Sequence, residues 1–476
     1  MAEREVDVVV IGAGAPGEVI AGRLGEAGVE VAVVEERLVG GECSFFACMP
    51  SKALLRPLEV AAEARRVPGV ATGGLEVDAV LARRDEVVHD LDDSTQVPWL
   101  EERGVILVRG HGRLDGERRV RVGDDVLVAR RAVVVATGSS ATIPPVPGLT
   151  DAQPWTNIEA TTAKRVPRRL FVLGGGVVGV EMAQAWSSLG SQVTLVHRGD
   201  RLIEREEPFA GAQVEEALRA AGVDVRLATE VSAVGRNGAV RVELGDESVE
   251  ADEILVAIGR TPRTADVGLD TIGIEPGGHL RVDDSLRVPG HETWLYAVGD
   301  VNGRALLTHM GKYQARLAAD SILGKEVQLR SDGGASPRVI FTDPQVGAVG
   351  LTLAAASEKG LPVRAVDVET SGNAGGSFVG RGAGHRAARR RRGAPVGRRR
   401  DDHRLGGRRG AARGDDRGRR EGAARGSLAR GAVVPDALRA LAAPARGVRD
   451  VAAFTRAGRC PAPHHGTPTE CLPGIL

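Results

Sequence analysis

The chain has 476 residues, too many for a single hydrophobic core, so two or three domains are expected. Its 63 Lys and Arg are balanced by 63 Asp and Glu, which argues against a protein built to seek nucleic acid. No apolar run approaches the ~20 residues of a membrane span, and with only four cysteines the expectation is a cytoplasmic protein in which a disulfide is catalytic rather than structural.

The chain opens with a short apolar run, Val6 to Ile11, then Gly12-Ala-Gly14-Ala-Pro-Gly17 and a helical pattern to Leu24. A second strand, Val29 to Val34, ends at Glu35. Strand, glycine turn, helix, strand and acid in this order form a dinucleotide-binding fingerprint. The glycines let backbone N–H groups approach a pyrophosphate at the helix N-terminus, and Glu35 would accept hydrogen bonds from an adenosine ribose.

Next comes GGECSFFACMPSK, Gly40 to Lys52, with Cys43 and Cys48 five apart ahead of a helical pattern. Two sulfurs near a helix start can form a reversible disulfide, because the helix N-terminus favours a thiolate. One thiolate that attacks and one that resolves is what thiol–disulfide exchange requires. Two buried structural thiols, or half of a zinc site, are the competing readings. Zinc ligands come as closer pairs with a second pair elsewhere, and only Cys460 and Cys471 remain.

Val105 to Val108 precedes Gly110 and Gly112, and a strand Ala132 to Ala136 runs into Thr137-Gly138-Ser139. Pro144, Pro145 and Pro147 mark a crossover between domains. The fingerprint then recurs: Arg169 to Leu173, Gly174-Gly-Gly176-Val-Val-Gly179, a helix carrying Glu181, and Gln192 to Val196. The interval that separates Gly12 from Glu35, counted from Gly174, lands on His197, followed by Arg198. Cationic side chains there accommodate a 2′-phosphate, whereas an acid favours a free 2′-hydroxyl, so NADP(H) is expected over NAD(H). The bland alternative is a surface histidine that selects nothing. Two further strands end in tight turns, Ile254 to Ile258 before Gly259-Arg260 and Trp294 to Val298 before Gly299-Asp300.

Up to about residue 382 the chain resembles the class I pyridine nucleotide–disulfide oxidoreductases, the family of dihydrolipoamide dehydrogenase, glutathione reductase and mercuric reductase. The cysteine stretch, both fingerprints, Ala136-Thr-Gly-Ser139, Val256-Ala-Ile-Gly-Arg260, Tyr296-Ala-Val-Gly-Asp300, Thr308 to Gln314 and Val339 to Pro344 carry the resemblance. It implies an α/β chain with two Rossmann-like domains, FAD-binding over 1–150 and 268–330 and NAD(P)-binding over 151–267, and an α+β dimerisation domain beginning at 336–382, with Val339 to Thr352 as its opening strand. It further implies that Gly12, Gly14, Gly17, Glu35, Lys52, Gly112, Thr137, Gly138, Asp300 and Thr308 line FAD. Gly174, Gly176, Gly179, Glu181, Val231 and Gly259 would line the nicotinamide nucleotide. Cys48 would be the charge-transfer thiolate, and Cys43 would exchange with a small-molecule disulfide. Direct reduction of a quinone or dye by the flavin is the alternative. One departure is Phe45-Phe46-Ala47 between the cysteines, where small residues are usual; a crowded, aromatic approach is expected.

From about Ala383 the text becomes Arg- and Gly-rich with no sustained period of 2 or 3.6. Either residues 383–476 are a genuine disordered, polyanion-binding tail, or they are the right gene in a shifted frame, giving an inactive or incomplete product. Codons for the tail read one nucleotide later permit alternating strands and an amphipathic helix, so the shifted frame is the preferred reading. The family's homodimer, in which each partner lends a His–Glu pair to the other's cysteines, would then be compromised. His465 and Glu470 have that spacing but lie too late in the chain.

Overall fold

The computed structural model describes residues 3–367. The tail from Ala383, with Cys460, Cys471, His465 and Glu470, lies outside the described residues, as does Gly372 to Gly382.

The first nucleotide unit is built on β1 (Glu3–Ile11), α1 (Ala15–Glu26) and β2 (Val31–Glu35). Its sheet continues with β3 (Ile106–Arg109), β4 (Gly112–Leu114), β5 (Arg119–Val122) and β6 (Asp125–Val135) in the order β3-β2-β1-β6-β5-β4. The end of β6 also pairs in parallel with Leu295–Ala297, which brings the late Gly299-Asp300 turn against Pro16 at the start of α1. Val8, Val10, Val31, Val33 and Val134 are buried, as the near-continuous apolar runs of a parallel sheet covered on both faces demand. One expected strand is longer than read: β6 begins seven residues before Ala132 because its first half pairs antiparallel with β5.

The second unit is a four-stranded parallel sheet, Asp224–Arg226, Gln192–Val196, Arg169–Leu173 and Glu253–Val256 in spatial order. A three-stranded antiparallel layer, Ala233–Asn237, Ala239–Leu244 and Glu247–Ala251, packs against it. Val339 to Thr352, read from sequence as one opening strand, is instead a hairpin of Arg338–Ile340 and Val346–Ala348 followed by the helix Leu353–Glu358. Asp343-Pro344 forms the turn that interrupts it.

The two units repeat one backbone device. Gly12 (φ 101°) and Gly174 (φ 118°) adopt a conformation open to glycine, and a Cβ on either would meet the carbonyl oxygen of Ala136 (2.6 Å) or Ala257 (2.5 Å). Five residues on, a Cβ on Gly17 or Gly179 would overlap the carbonyl oxygen of Gly12 or Gly174. The third glycine of each fingerprint is therefore a helix–strand packing requirement. Replacing Gly17 with Ala should destabilise the protein by about 1–3 kcal/mol through overpacking. A fall in the urea midpoint with unchanged slope is the expected reading; an unchanged midpoint would refute the packing argument.

Candidate active site

The cysteine stretch folds as two helices rather than one. Gly40 (φ 106°) and Gly41 (φ 61°) turn the chain into α2 (Gly41–Phe45), and Ala47 (φ −141°, ψ −94°) breaks it before α3 (Cys48–Arg66). Cys43 thus sits inside the short helix and Cys48 is the first residue of the long one, where orphan N–H groups favour a thiolate. Both are half-buried and reduced.

The expectation of an aromatic, crowded approach fails for Phe45, which is off the cavity wall, whereas Phe46 lies on that wall beside the cysteines. Phe45 is fully buried and Phe46 is 6% exposed, and they pack on Val88, Leu38, Leu91 and Ile158. Helical geometry between the cysteines turns both rings inward; Arg37 lies over the Phe46 ring at 4.7 Å.

Helix α3 is anchored in the other unit. Leu54 and Leu55 share a core with Met182, Ala183 and Trp186 of the helix Val177–Ser188. That contact brings Lys52 Nζ to 2.8 Å from Glu181 Oε2, while Glu181 Oε1 accepts from the backbone N–H of Phe341 at 2.9 Å. The family resemblance implied Glu181 for the nicotinamide site and Lys52 for the flavin site; the structure joins them beside the cysteines.

Cys43 donates a hydrogen bond to Cys48, and this is the main cause that lowers the Cys48 thiol to about 6, against the opposing effect of burial. The Thr308 hydroxyl, 3.3 Å from Cys48 Sγ, and the Lys52 ammonium act in the same direction. The same hydrogen bond, with burial, pushes the Cys43 thiol up. The pair therefore holds one proton, on Cys43, and one negative charge, on Cys48.

A cavity of about 650 Å³ runs from the first fingerprint to the cysteines. Gly12, Gly14, Glu35, Lys52, Gly112, Thr137, Gly138, Asp300, Thr308, Cys43, Cys48 and Glu181 all lie on its wall. Gly17 is not on that wall; it is spent on the helix–strand contact. Glu35 Oε2 accepts from the Ala13 N–H at 2.7 Å and Oε1 from the Arg37 N–H at 2.8 Å, and burial pushes its carboxyl up. Burial also raises Asp300, which accepts from Ser139 Oγ at 2.6 Å. A continuous cavity with a glycine cradle at one end and a dithiol at the other fits an extended dinucleotide such as FAD.

Sequence reasoning missed a charged cluster against Cys43. Arg260 bonds Glu42, the Ser139 hydroxyl (2.6 Å) and Asn157 (3.3 Å), and Arg263 bonds Glu42 at 2.9 Å. The only local hint was an arginine after the Gly259 turn.

Gly174, Gly176, Gly179, His197, Arg198, Val231 and Gly259 gather around the second unit, away from the cavity wall. Gly259 (φ 154°) accepts at its carbonyl from Thr142 N–H at 3.0 Å, and Val231 packs on the core of the antiparallel layer. His197 Nδ1 accepts from the Gly175 N–H at 3.2 Å, and Arg198 is exposed.

A family model described as "Pyridine nucleotide-disulphide oxidoreductase" matches residues 6–317, and that family's dimerisation-domain model matches residues 336–384. The chain is 35% identical to the mercuric reductase of Streptomyces lividans, over 75% of this chain and 77% of that protein. It is 31% identical to the dihydrolipoyl dehydrogenase of Chlamydia muridarum, over 75% and 78%. The mercuric reductase of Bacillus cereus is 30% identical over 76% of this chain, which spans only 58% of that relative's length. Among solved structures, LpdA from Mycobacterium tuberculosis aligns with a TM-score of 0.69 and 27% identity, covering 78% of this chain and 84% of its own. The flavoprotein disulfide reductase RclA from Escherichia coli, at 24% identity and a TM-score of 0.70 over 81% and 85%, shares the fold.

In the reduced protein, thiolate absorbance should appear as pH rises through about 6 and should be lost in Cys48→Ser. Lys52→Met should move the midpoint upward, because it removes a cation that favours the anion. A first midpoint near the ordinary thiol value would contradict the assignment.

Proposed function

The chain belongs to the pyridine nucleotide-disulphide oxidoreductases, and on that premise we propose that it carries two electrons from NADPH to a small-molecule disulfide through Cys43 and Cys48. The observation that carries this reading is the placement of Cys43 and Cys48 together on the wall of a cavity that begins at the first glycine turn, with the Thr308 hydroxyl 3.3 Å from Cys48 Sγ. Gly12, Gly14, Glu35, Gly112, Thr137, Gly138 and Asp300 would hold FAD, with Lys52, Cys48 and Thr308 at its reactive end. FAD, when bound, supplies the hydride-accepting centre that links a nicotinamide to a dithiol.

The residues then divide the exchange chemistry. Cys48, anionic, takes the proton from Cys43 as Cys43 attacks one sulfur of the acceptor. A mixed disulfide forms and the first thiolate departs, taking that proton from Cys48. Cys48 then attacks the Cys43 sulfur, closing the Cys43–Cys48 disulfide and expelling the second thiolate, which is protonated from solvent. Two electrons have moved, and the pair is oxidised. Thr308 and Lys52 favour the Cys48 anion before the first attack and again once its proton has left with the first thiolate.

Direct reduction of a quinone or dye is the second reading, favoured by the apolar side chain of Val177, 46% exposed on the cavity wall. Cys48→Ser separates the two. For the dithiol route, disulfide reduction should fall at least ~100-fold, as when a covalent nucleophile is removed, while dye reduction persists. Retained disulfide reduction would exclude that route.

The preference for NADPH is supported by His197, whose Nδ1 is occupied by Gly175, leaving Nε2 as a donor, and by the exposed Arg198. A phosphate offers only acceptors, so donors suit it.

A homodimer is the family's assembly, and the dimerisation-domain match ends at residue 384, where the Arg- and Gly-rich text begins. This coincidence supports a shifted reading frame and a weakened dimer. Val349, 53% exposed, would lie on the uncovered face. Among the described residues no helix is long and apolar enough to cross a membrane. Sedimentation of the chain as written should give a monomer whose dimer forms only at high concentration; a concentration-independent dimer would overturn this. Sequencing across the codon for Ala383 tests the frame directly, and an intact frame would leave the tail as the chain's own.

A further inference from the structure

The corner where the second fingerprint would receive an adenosine ribose holds an acid that neither spacing nor motif points to. Glu204, seven residues beyond His197, carries its Oε1 to 3.5 Å from His197 Nε2. That nitrogen is buried and makes no hydrogen bond, although Nδ1 accepts from Gly175 and the proton therefore sits on Nε2. The carboxylate faces the donor without satisfying it.

The loop that delivers Glu204 is tied down by its backbone. The Ile203 N–H donates to the Gly175 carbonyl at 2.8 Å, inside the glycine turn itself. Arg201 donates to the carbonyl oxygens of Glu204 and Glu206, at 2.5 and 3.0 Å, which commits its guanidinium to the loop rather than to a ligand. Gly199 leaves the room: a Cβ there would overlap Glu204 Oε1 and approach His197 Nε2 to 2.9 Å. The side chain of Glu204, by contrast, is 49% exposed and has no anchor besides His197, so it can swing away while the loop stays.

We propose that Glu204 occupies the seat of the 2′-phosphate of NADPH and must be displaced when that nucleotide binds, so that it sets how far the site prefers NADPH over NADH. This rests on the reading of His197 and Arg198 as 2′-phosphate donors. An internal carboxylate beside His197 already occupies the corner in the free protein, and a phosphate arriving there meets a like charge until Glu204 leaves. A 2′-hydroxyl carries no charge and meets no such opposition.

Isothermal titration of the FAD-loaded, oxidised protein with NADP⁺ and NAD⁺ tests this without turnover. Glu204→Gln should raise the affinity ratio of NADP⁺ to NAD⁺ about fivefold, the size expected for removing one partly exposed charge interaction. The gain should appear as tighter NADP⁺ binding. Unchanged NADP⁺ binding would overturn the proposal. So would weaker NAD⁺ binding with NADP⁺ unaffected, because Glu204 would then be the ribose acceptor. If the unaltered protein binds NAD⁺ the more tightly, the NADPH reading fails, yet tighter NADP⁺ binding by Glu204→Gln would still establish the role of Glu204.

Discussion

The ion pair between Lys52 and Glu181 joins segments 129 residues apart in sequence, and the site is assembled around it. Glu181 is 5% exposed, and a carboxylate that deeply placed is costly unless its oxygens are matched. One oxygen takes the Lys52 ammonium and the other takes the Phe341 N–H. Lys52 also lies over the Phe341 ring at 4.4 Å. Three segments, the cysteine helix, the second nucleotide unit and the hairpin after residue 337, must therefore be in place before the charges are satisfied. The stability of such a pair is modest, because desolvation offsets the attraction. Cys48 and Lys52 are four residues apart on α3 and so share one face of it, and the pair with Glu181 ties that face to the second unit.

That placement fixes the electrostatics of the dithiol. Lys52 and the helix N-terminus favour the Cys48 anion, whereas Glu181 and burial oppose it. The balance is decided by the shortest-range contribution, the hydrogen bond from Cys43, so neither cysteine has a charge state independent of the other. A dithiol arranged this way keeps a nucleophile and its base within one pair of side chains.

The parts of this arrangement that could be read in the sequence are those encoded by short-range pattern. Both fingerprints, the strands Arg169–Leu173 and Gln192–Val196, and the cysteine pair were legible because glycine spacing and apolar runs act over a few residues. The cluster of Glu42, Arg260 and Arg263 was not, since its members are more than 200 residues apart and each alone resembles a surface charge. Phe45 and Phe46 were taken together, and only Phe46 reaches the cavity wall. Their position between the cysteines suggested the approach to the sulfurs, but the facing of α2 decided burial, and a five-residue helix shows no period in sequence. Val339 to Thr352 was read as one strand because its apolar pattern does not reveal the turn at Asp343-Pro344.

The two fingerprints also show how one backbone turn accommodates different side chains at the same position. In the first, the N–H of Ala13, just after the first glycine, is taken by Glu35; in the second, the equivalent N–H of Gly175 is taken by His197. The intervals are equal, so the histidine stands in the structural place of the acid and performs its local duty of accepting that N–H. What differs is the atom left over. Glu35 presents carboxylate oxygens, and His197 presents an N–H. The conserved geometry of the turn thus requires an acceptor at this position, and either side chain meets that requirement. Either side chain can therefore occupy the position without disturbing the glycine turn beneath it.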